Sequence, residues 1–261
     1  MSYVLAFLGI KDGQGVTTTA LALADAIAAK HSTLFIDADM SGTGTAVDAL
    51  HLNPERRGFN SLLGETPLTS EMLQREAIAS RNPNLELIPG LIAVCGSDVV
   101  VLAERLQRGN ALAGLCHDFV VLDLGSAWAH PWLSSARAAA QAVARISNRV
   151  FVVFQDSPTR MVRAVQVLKS AQPPKAELIL METRGGSLNR QAREALRYNL
   201  PDLSLATRVR WDPKQSMNAE DRGVPMPGIG PQLIRELQIL ERASVVLSPT
   251  PAPERPAIAG A

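Results

Sequence analysis

The stretch from Tyr3 to Ala29 constrains the fold most. Tyr3-Val-Leu-Ala-Phe-Leu is an apolar run of strand length, Gly9-Ile-Lys-Asp-Gly-Gln-Gly is glycine-rich, and Thr17 to Ala29 is an alanine- and leucine-rich helical stretch. Strand, glycine loop and helix, in this order, make a phosphate-binding loop. In such a loop backbone N–H groups at a helix N-terminus wrap the phosphates while a lysine ammonium neutralises their β/γ oxygens. Gly13 and Gly15 supply the positive-φ or close-approach positions, and Thr17 stands where the motif's hydroxyl reaches Mg²⁺. The position of the motif's lysine is filled by Val16. Taken alone, Gly13-Gln14-Gly15 suits an ordinary strand-to-helix turn equally well.

Two further segments bear on that choice. Leu34-Phe-Ile-Asp-Ala-Asp39 reads as a buried strand ending in two carboxylates, Asp37 and Asp39, and Phe119-Val-Val-Leu-Asp123-Leu-Gly125 as a second one ending in an acid and a glycine. Carboxylates at the C-terminal ends of parallel strands lie at the crevice where α/β sheets bind ligands. The same acids would also suit solvated strand ends.

In order, these segments resemble the ParA/MinD family of deviant Walker A ATPases, a branch of the P-loop proteins, whose pattern reads K-G-G-x-G-K-[ST]-T, then I-D-x-D, then a switch strand ending in Asp. The resemblance spans most of the chain. Gly58-Phe-Asn-Ser-Leu-Leu-Gly64, Asn84-Leu-Glu-Leu-Ile-Pro-Gly90, Arg149-Val-Phe-Val-Val-Phe and Val209-Arg-Trp-Asp-Pro213 are similar to later landmarks of the family. It implies a single α/β domain over residues 1–247, with a twisted, mostly parallel sheet of about seven strands and helices on both faces. Helix and strand patterns alternate throughout, in agreement with one domain. Ser248 to Ala261, with four prolines, is expected to be a disordered tail.

The resemblance also assigns roles. In the family two lysines serve the phosphates: one from the loop of the same subunit, and a signature lysine that reaches across an ATP-sandwiched dimer. Lys11 holds the signature position, Val16 replaces the other lysine, and Asp12 replaces a loop glycine. Asp12, Gly13, Gln14, Gly15, Val16, Thr17 and Thr18 would then surround the nucleotide. Thr17, Asp37 and Asp123 would hold Mg²⁺ directly or through water, and Asp39 would orient the attacking water. For adenine, the family's Asn-Arg pair is here Thr183-Arg184, and Pro213 would wall the base pocket. One positive charge lost and one negative charge gained beside a triphosphate are each worth on the order of several kcal/mol at an effective dielectric near 20. ATP affinity should therefore fall, and transition-state stabilisation should fall further.

A chain of 261 residues with 46% hydrophobic content can bury one large core, and with 4% aromatics that core must rest on Leu, Val, Ile and Ala. No basic leader and no long apolar run is present, so a cytoplasmic location is expected. Cys95 and Cys116 form no C-x-x-C and are expected to be buried small hydrophobes. His31, His51, His117 and His130 show no metal-ligand spacing, and only His130 falls near the expected switch loop.

Net charge is +1, but residues 1 to 150 are acidic on balance and residues 151 to 223 basic. Arg190, Arg193 and Arg197 share one face of a helix predicted over Leu188 to Asn199. They suit a solvated face, with nonspecific DNA contact as the less favoured reading. Gln232 to Leu247 is predicted to be one helix that packs on the domain, because Arg235 and Arg242 are balanced by Glu236 and Glu241.

Three functions follow from the resemblance. The first is a localisation or assembly factor for a pilus or polysaccharide-secretion machine. It would bind ATP or ADP weakly with Mg²⁺, form a homodimer, and reach the inner membrane or a cell pole through a protein partner, with slow or absent hydrolysis. The second is an active ATPase for DNA segregation or cell-division placement, with Lys11 compensating for Val16. The third is a nucleotide-free dimeric scaffold.

Overall fold

Parallel strands can be joined only by crossovers, and that requirement explains the alternation of apolar runs and helices. The computed structural model describes residues 2–39, 45–53, 58–62, 68–90, 105, 111–112, 114–126, 129, 134–171, 176–183 and 190–247. In these residues the strands are β1 (Tyr3–Gly9), β2 (Thr33–Asp37), β3 (Ile78–Ala79), β4 (Leu85–Ile88), β5 (Phe119–Asp123), β6 (Arg149–Gln155), β7 (Ala176–Glu182) and β8 (Ser204–Arg210). They form one sheet in the order β3-β4-β2-β5-β1-β6-β7-β8. Every neighbouring pair is parallel except β3 with β4. Eight strands appear where about seven were expected, and the two-residue β3 is too short to leave an apolar run in the sequence.

Helices cover both faces, so strands such as β1 and β5 are buried along their whole length and read as continuous apolar runs. Alternate side chains serve alternate layers. Val4, Ala6, Leu8, Ile36 and Leu122 pack toward α4 (Ser134–Ile146), α5 (Pro158–Ala171) and α6 (Arg190–Asn199), while α3 (Ser70–Glu76) lies toward the β4 edge. Leu5, Phe7, Phe35, Val121 and Phe151 pack toward α1 (Val16–Ala28), α2 (Thr45–Ala49), α7 (Pro213–Arg222), α8 (Ile229–Leu237) and α9 (Ile239–Leu247). At Gly230 of α8 the contact with α1 is so close that a Cβ would stand 2.1 Å from the Ala22 carbonyl oxygen.

The single helix predicted over Gln232 to Leu247 is two helices, α8 and α9, broken at Gln238 with φ 51°. The break has a tertiary cause. Arg149, buried at the start of β6, makes a bidentate pair with Glu177 (2.7 and 2.6 Å) and lies 4.8 Å over the Phe151 ring. Its remaining guanidinium nitrogen donates to the Leu237 carbonyl at 2.6 Å, the acceptor a continuous helix would need. The expected packing onto the domain holds, with Leu233, Leu237, Ile239 and Ala243 buried. Cys116 corrects an expectation: it is exposed, because the buried run begins only at Phe119 and the preceding loop leaves Cys116 facing outward. Cys95, His130 and residues 248–261 lie outside the described residues.

Replacing Arg149 with Ala leaves the Glu177 carboxylate without its partner and frees the Leu237 carbonyl. We expect a loss of about 3 kcal/mol in urea unfolding with an unchanged slope. A loss below about 1 kcal/mol would show that the α8–α9 break does not depend on this guanidinium.

Candidate functional site

β1 is the centre of the sheet, with β5 on one side and β6 on the other, and its C-terminal end opens into the glycine loop. This is where the chain direction of successive crossovers diverges and a crevice must open. Gly13 and Gly15 have φ of 70° and 85°, and Gly15 is the N-cap of α1 with no side chain capping the helix. The positive end of α1 therefore points into the crevice. A cleft of about 540 Å³ lies there, lined by Lys11 through Thr18, Asp39, Gly125 and Ser126 on one side and by α2 and α7 residues on the other.

The sheet register delivers the acids. Asp37 and Asp123 are direct partners across β2 and β5, both fully buried, and Asp39 follows two residues on. Asp37 accepts from the main-chain N–H of Asp39 (3.3 Å) and of Ala46 (3.2 Å). Asp123 Oδ1 accepts from the Gly125 N–H at 2.9 Å, with the Thr17 hydroxyl also bonded to this carboxylate, while its buried Oδ2 has no hydrogen-bond partner among the described residues. Gly125 is required where it stands: with φ 56°, a Cβ there would fall 2.1 Å from the Asp39 carboxyl carbon.

Burial pushes the Asp37 carboxyl far above the ordinary carboxylate range, and the neighbouring Asp123 and Asp39 charges push it further. Burial raises Asp123 as well, with Asp39 adding to the shift and the Thr17 and Gly125 hydrogen bonds opposing it. A magnesium ion fits this cluster: carboxylates held above their usual pKa gain from a cation, and Asp123 Oδ2 has no hydrogen-bond partner among the described residues. Among the described residues no group of three or more His, Cys, Asp or Glu is placed to hold a metal ion by itself. A magnesium ion here would take its remaining ligands from phosphate or water.

The glycine-loop side of the cleft differs from a usual P-loop in three ways. Val16 is buried in the core, its Cγ2 only 2.5 Å from where a Cβ on Gly9 would be, so this position has become packing under the loop. The Asp12 carboxylate accepts a short hydrogen bond from the Ser126 hydroxyl, which ties the loop to the segment after β5. Gln155, at the end of β6, clasps the loop from below: its N–H donates to Gln14 Oε1 (2.9 Å) and its side-chain amide to the Gly13 carbonyl (2.7 Å). Lys11 is the one Lys or Arg among the described lining residues, against Asp12, Asp39, Asp48 and Glu220.

The structure thus gathers Lys11, Asp12, Gly13, Gln14, Gly15, Val16, Thr17, Thr18 and Asp39 around one cleft, with Asp37 and Asp123 buried at its floor. Pro213 lies outside that lining, in a neighbouring depression with Trp211 and Met226, and Arg184 lies outside the described residues. Thr183 donates from both its N–H (3.1 Å) and its hydroxyl (2.7 Å) to Asp156. Ser126 and Gln155 were not anticipated from sequence, although both follow or end strands at the C-terminal edge, where the crevice rule directs attention.

The glycine loop at the end of β1, facing carboxylates at the ends of β5 and, beyond it, β2, is the arrangement of the P-loop class of α/β fold. Within that class the chain has the fold of the ParA and MinD ATPases. It superposes on a ParA family ATPase from Chlorobium tepidum TLS with TM-score 0.68 and 16% identity, over 93% of this chain and 97% of that one. The septum site-determining protein MinD of Pyrococcus horikoshii OT3, complexed with Mg-ADP, gives 0.65 and 16% over 95% and 97%. A chain of the MinC:MinD cell division protein complex of Aquifex aeolicus gives 0.63 and 17% over 97% and 99%. No protein-family model and no curated protein matches the sequence. No helix among the described residues is long and apolar enough to cross a membrane.

The raised Asp37 carboxyl has a definite sign. Its favourable contribution is fully present below the unfolded value of 3.8 and is lost as pH rises through the folded value, about 8. Asp37→Asn cannot ionise, so in metal-free buffer its Tm relative to the natural protein should climb steadily between these values. A difference that stays flat with pH would mean that Asp37 ionises in the folded protein as it does in the unfolded one.

Proposed function

We propose that this protein is a ParA/MinD-like localisation or assembly factor for a cell-envelope machine of the pilus or polysaccharide-secretion type. It binds adenine nucleotide weakly with Mg²⁺, pairs with a second copy, and hydrolyses ATP slowly or not at all. The observation that carries this reading is the burial of Val16 against Gly9 in a loop whose frame is otherwise kept. A cleft whose described lining holds a single lysine and four carboxylates repels a triphosphate unless a cation accompanies it, so binding is expected to be weak and magnesium-dependent.

Phosphoryl transfer depends on cations placed around the transferring group, and the loop lysine is the one this chain lacks. Lys11 is exposed at the mouth of the cleft, a position from which it can serve a second copy better than its own phosphates. The MinD structure with Mg-ADP supports the nucleotide in this reading, and the MinC:MinD complex supports a protein partner. The envelope machine rests on the resemblance to family branches with atypical Walker motifs. The protein would work in the cytoplasm and be drawn to the inner membrane or a cell pole.

Isothermal titration with MgATP tests the proposal. The natural protein should bind weakly without turnover above background, and Val16→Lys should tighten binding at least about tenfold, the equivalent of about 1.4 kcal/mol. Tight binding with hydrolysis abolished by Lys11→Ala would establish an active ATPase instead. Absence of binding in both the natural protein and Val16→Lys would leave the nucleotide-free scaffold.

A further inference from the structure

Apart from α3 at the β4 edge, the two helical layers carry opposite charge. α4 contributes Arg137 and Arg145, α5 contributes Arg160, Arg163 and Lys169, and α6 contributes Arg190, Arg193 and Arg197, against one acid, Glu194. The layer on the other face, α1, α2, α7, α8 and α9, has four cations and six acids. The basic helices are neighbours in space: Arg137 donates to the Ser170 carbonyl (2.9 Å) and Lys169 to Asn199 Oδ1 (2.8 Å).

Helix electrostatics explains only part of this. Arg145, Lys169 and Arg197 stand in last turns, where cations are favoured. Arg160 stands in a first turn that holds no acid, where the helix dipole opposes it. Apolar groups also project from this layer. Val162 is 60% exposed between Arg160 and Arg163, Tyr198 is 87% exposed beside Arg197, and Ile146 is 43% exposed beside Arg145.

We propose that the α4–α5–α6 layer docks on an anionic phospholipid surface, which places the protein at a membrane. Arginine guanidinium groups match phosphate, and exposed aliphatic and tyrosine side chains between them match the interface just below the headgroups. A nucleic-acid backbone would satisfy the arginines but offers nothing to Val162 or Ile146. The layer's Val162 and Arg163 are outside the nucleotide cleft, so the inference stands or falls independently of nucleotide binding.

Co-sedimentation of the full chain with vesicles of phosphatidylglycerol in phosphatidylcholine, against phosphatidylcholine alone, tests it. Binding should require the anionic lipid. Arg163→Glu with Arg197→Glu should weaken it more than about tenfold. Val162→Ser with Tyr198→Ser, which leaves every charge in place, should weaken it several-fold. Thermal unfolding of each variant, unchanged from the natural protein, would confirm that the fold is intact. Absence of anionic-vesicle binding would overturn the proposal. So would retention of duplex DNA that outcompetes vesicles and ignores the Val162 and Tyr198 replacements.

Discussion

The register of β2 against β5 sets Asp37 opposite Asp123 in a space closed to water, and the rest of the site answers that one constraint. Two buried carboxylates at adjacent strand ends repel each other and lose hydration. The chain offsets this with main-chain N–H groups from Asp39, Ala46 and Gly125 and with the Thr17 hydroxyl. Those donors come from the loops after β2 and β5 and from the first turns of α1 and α2. A demand made in the sheet therefore fixes where four separate segments cross the crevice. Gly125 follows from the same demand, since any side chain there would occupy the space of the Asp39 carboxylate.

Against this acidic floor, the glycine loop keeps its shape by means other than a bound phosphate. Where a lysine would hold an anion, Val16 contributes apolar packing on β1, and the Gln14–Gln155 and Asp12–Ser126 hydrogen bonds anchor the loop on both flanks. Packing and hydrogen bonds hold the loop from beneath, so frame and charge have separated in this chain. The frame is a property of β1, α1 and the two glycines, while the charge depends on one side chain that could change without disturbing them.

How much of this could be read from the sequence depends on the range of the interaction. The strands were legible because burial on both faces writes each as an uninterrupted apolar run, and the loop because positive φ at Gly13 and Gly15 limits the residue choice. The α8–α9 break was not legible: it is caused by Arg149, which lies 88 positions from Leu237. Cys116 misled because apolar neighbours in sequence are not neighbours in space once a loop turns them outward. The lining of the cleft by Ser126 and the clasp by Gln155 likewise exist only after β5 and β6 have taken their places beside β1.

The distribution of charge is the clearest case of information that the fold creates. Along the chain, the basic excess of residues 151 to 223 is a mild imbalance, diluted by acids such as Glu177, Glu182 and Asp156. Folding removes those acids from the helical surface. Glu177 is spent on Arg149, Asp156 on Thr183, and Glu182 on Arg208 at the β8 edge. The crossovers before β6 and after it then send α4, α5 and α6 to the same side of the sheet, and α1, with the C-terminal helices, to the other. A handed connection rule that puts successive crossovers on defined faces thereby concentrates the arginines into one layer. What was a weak compositional bias becomes a two-sided molecule, with a crevice lined by the glycine loop at the strand ends and a separate basic surface along one face.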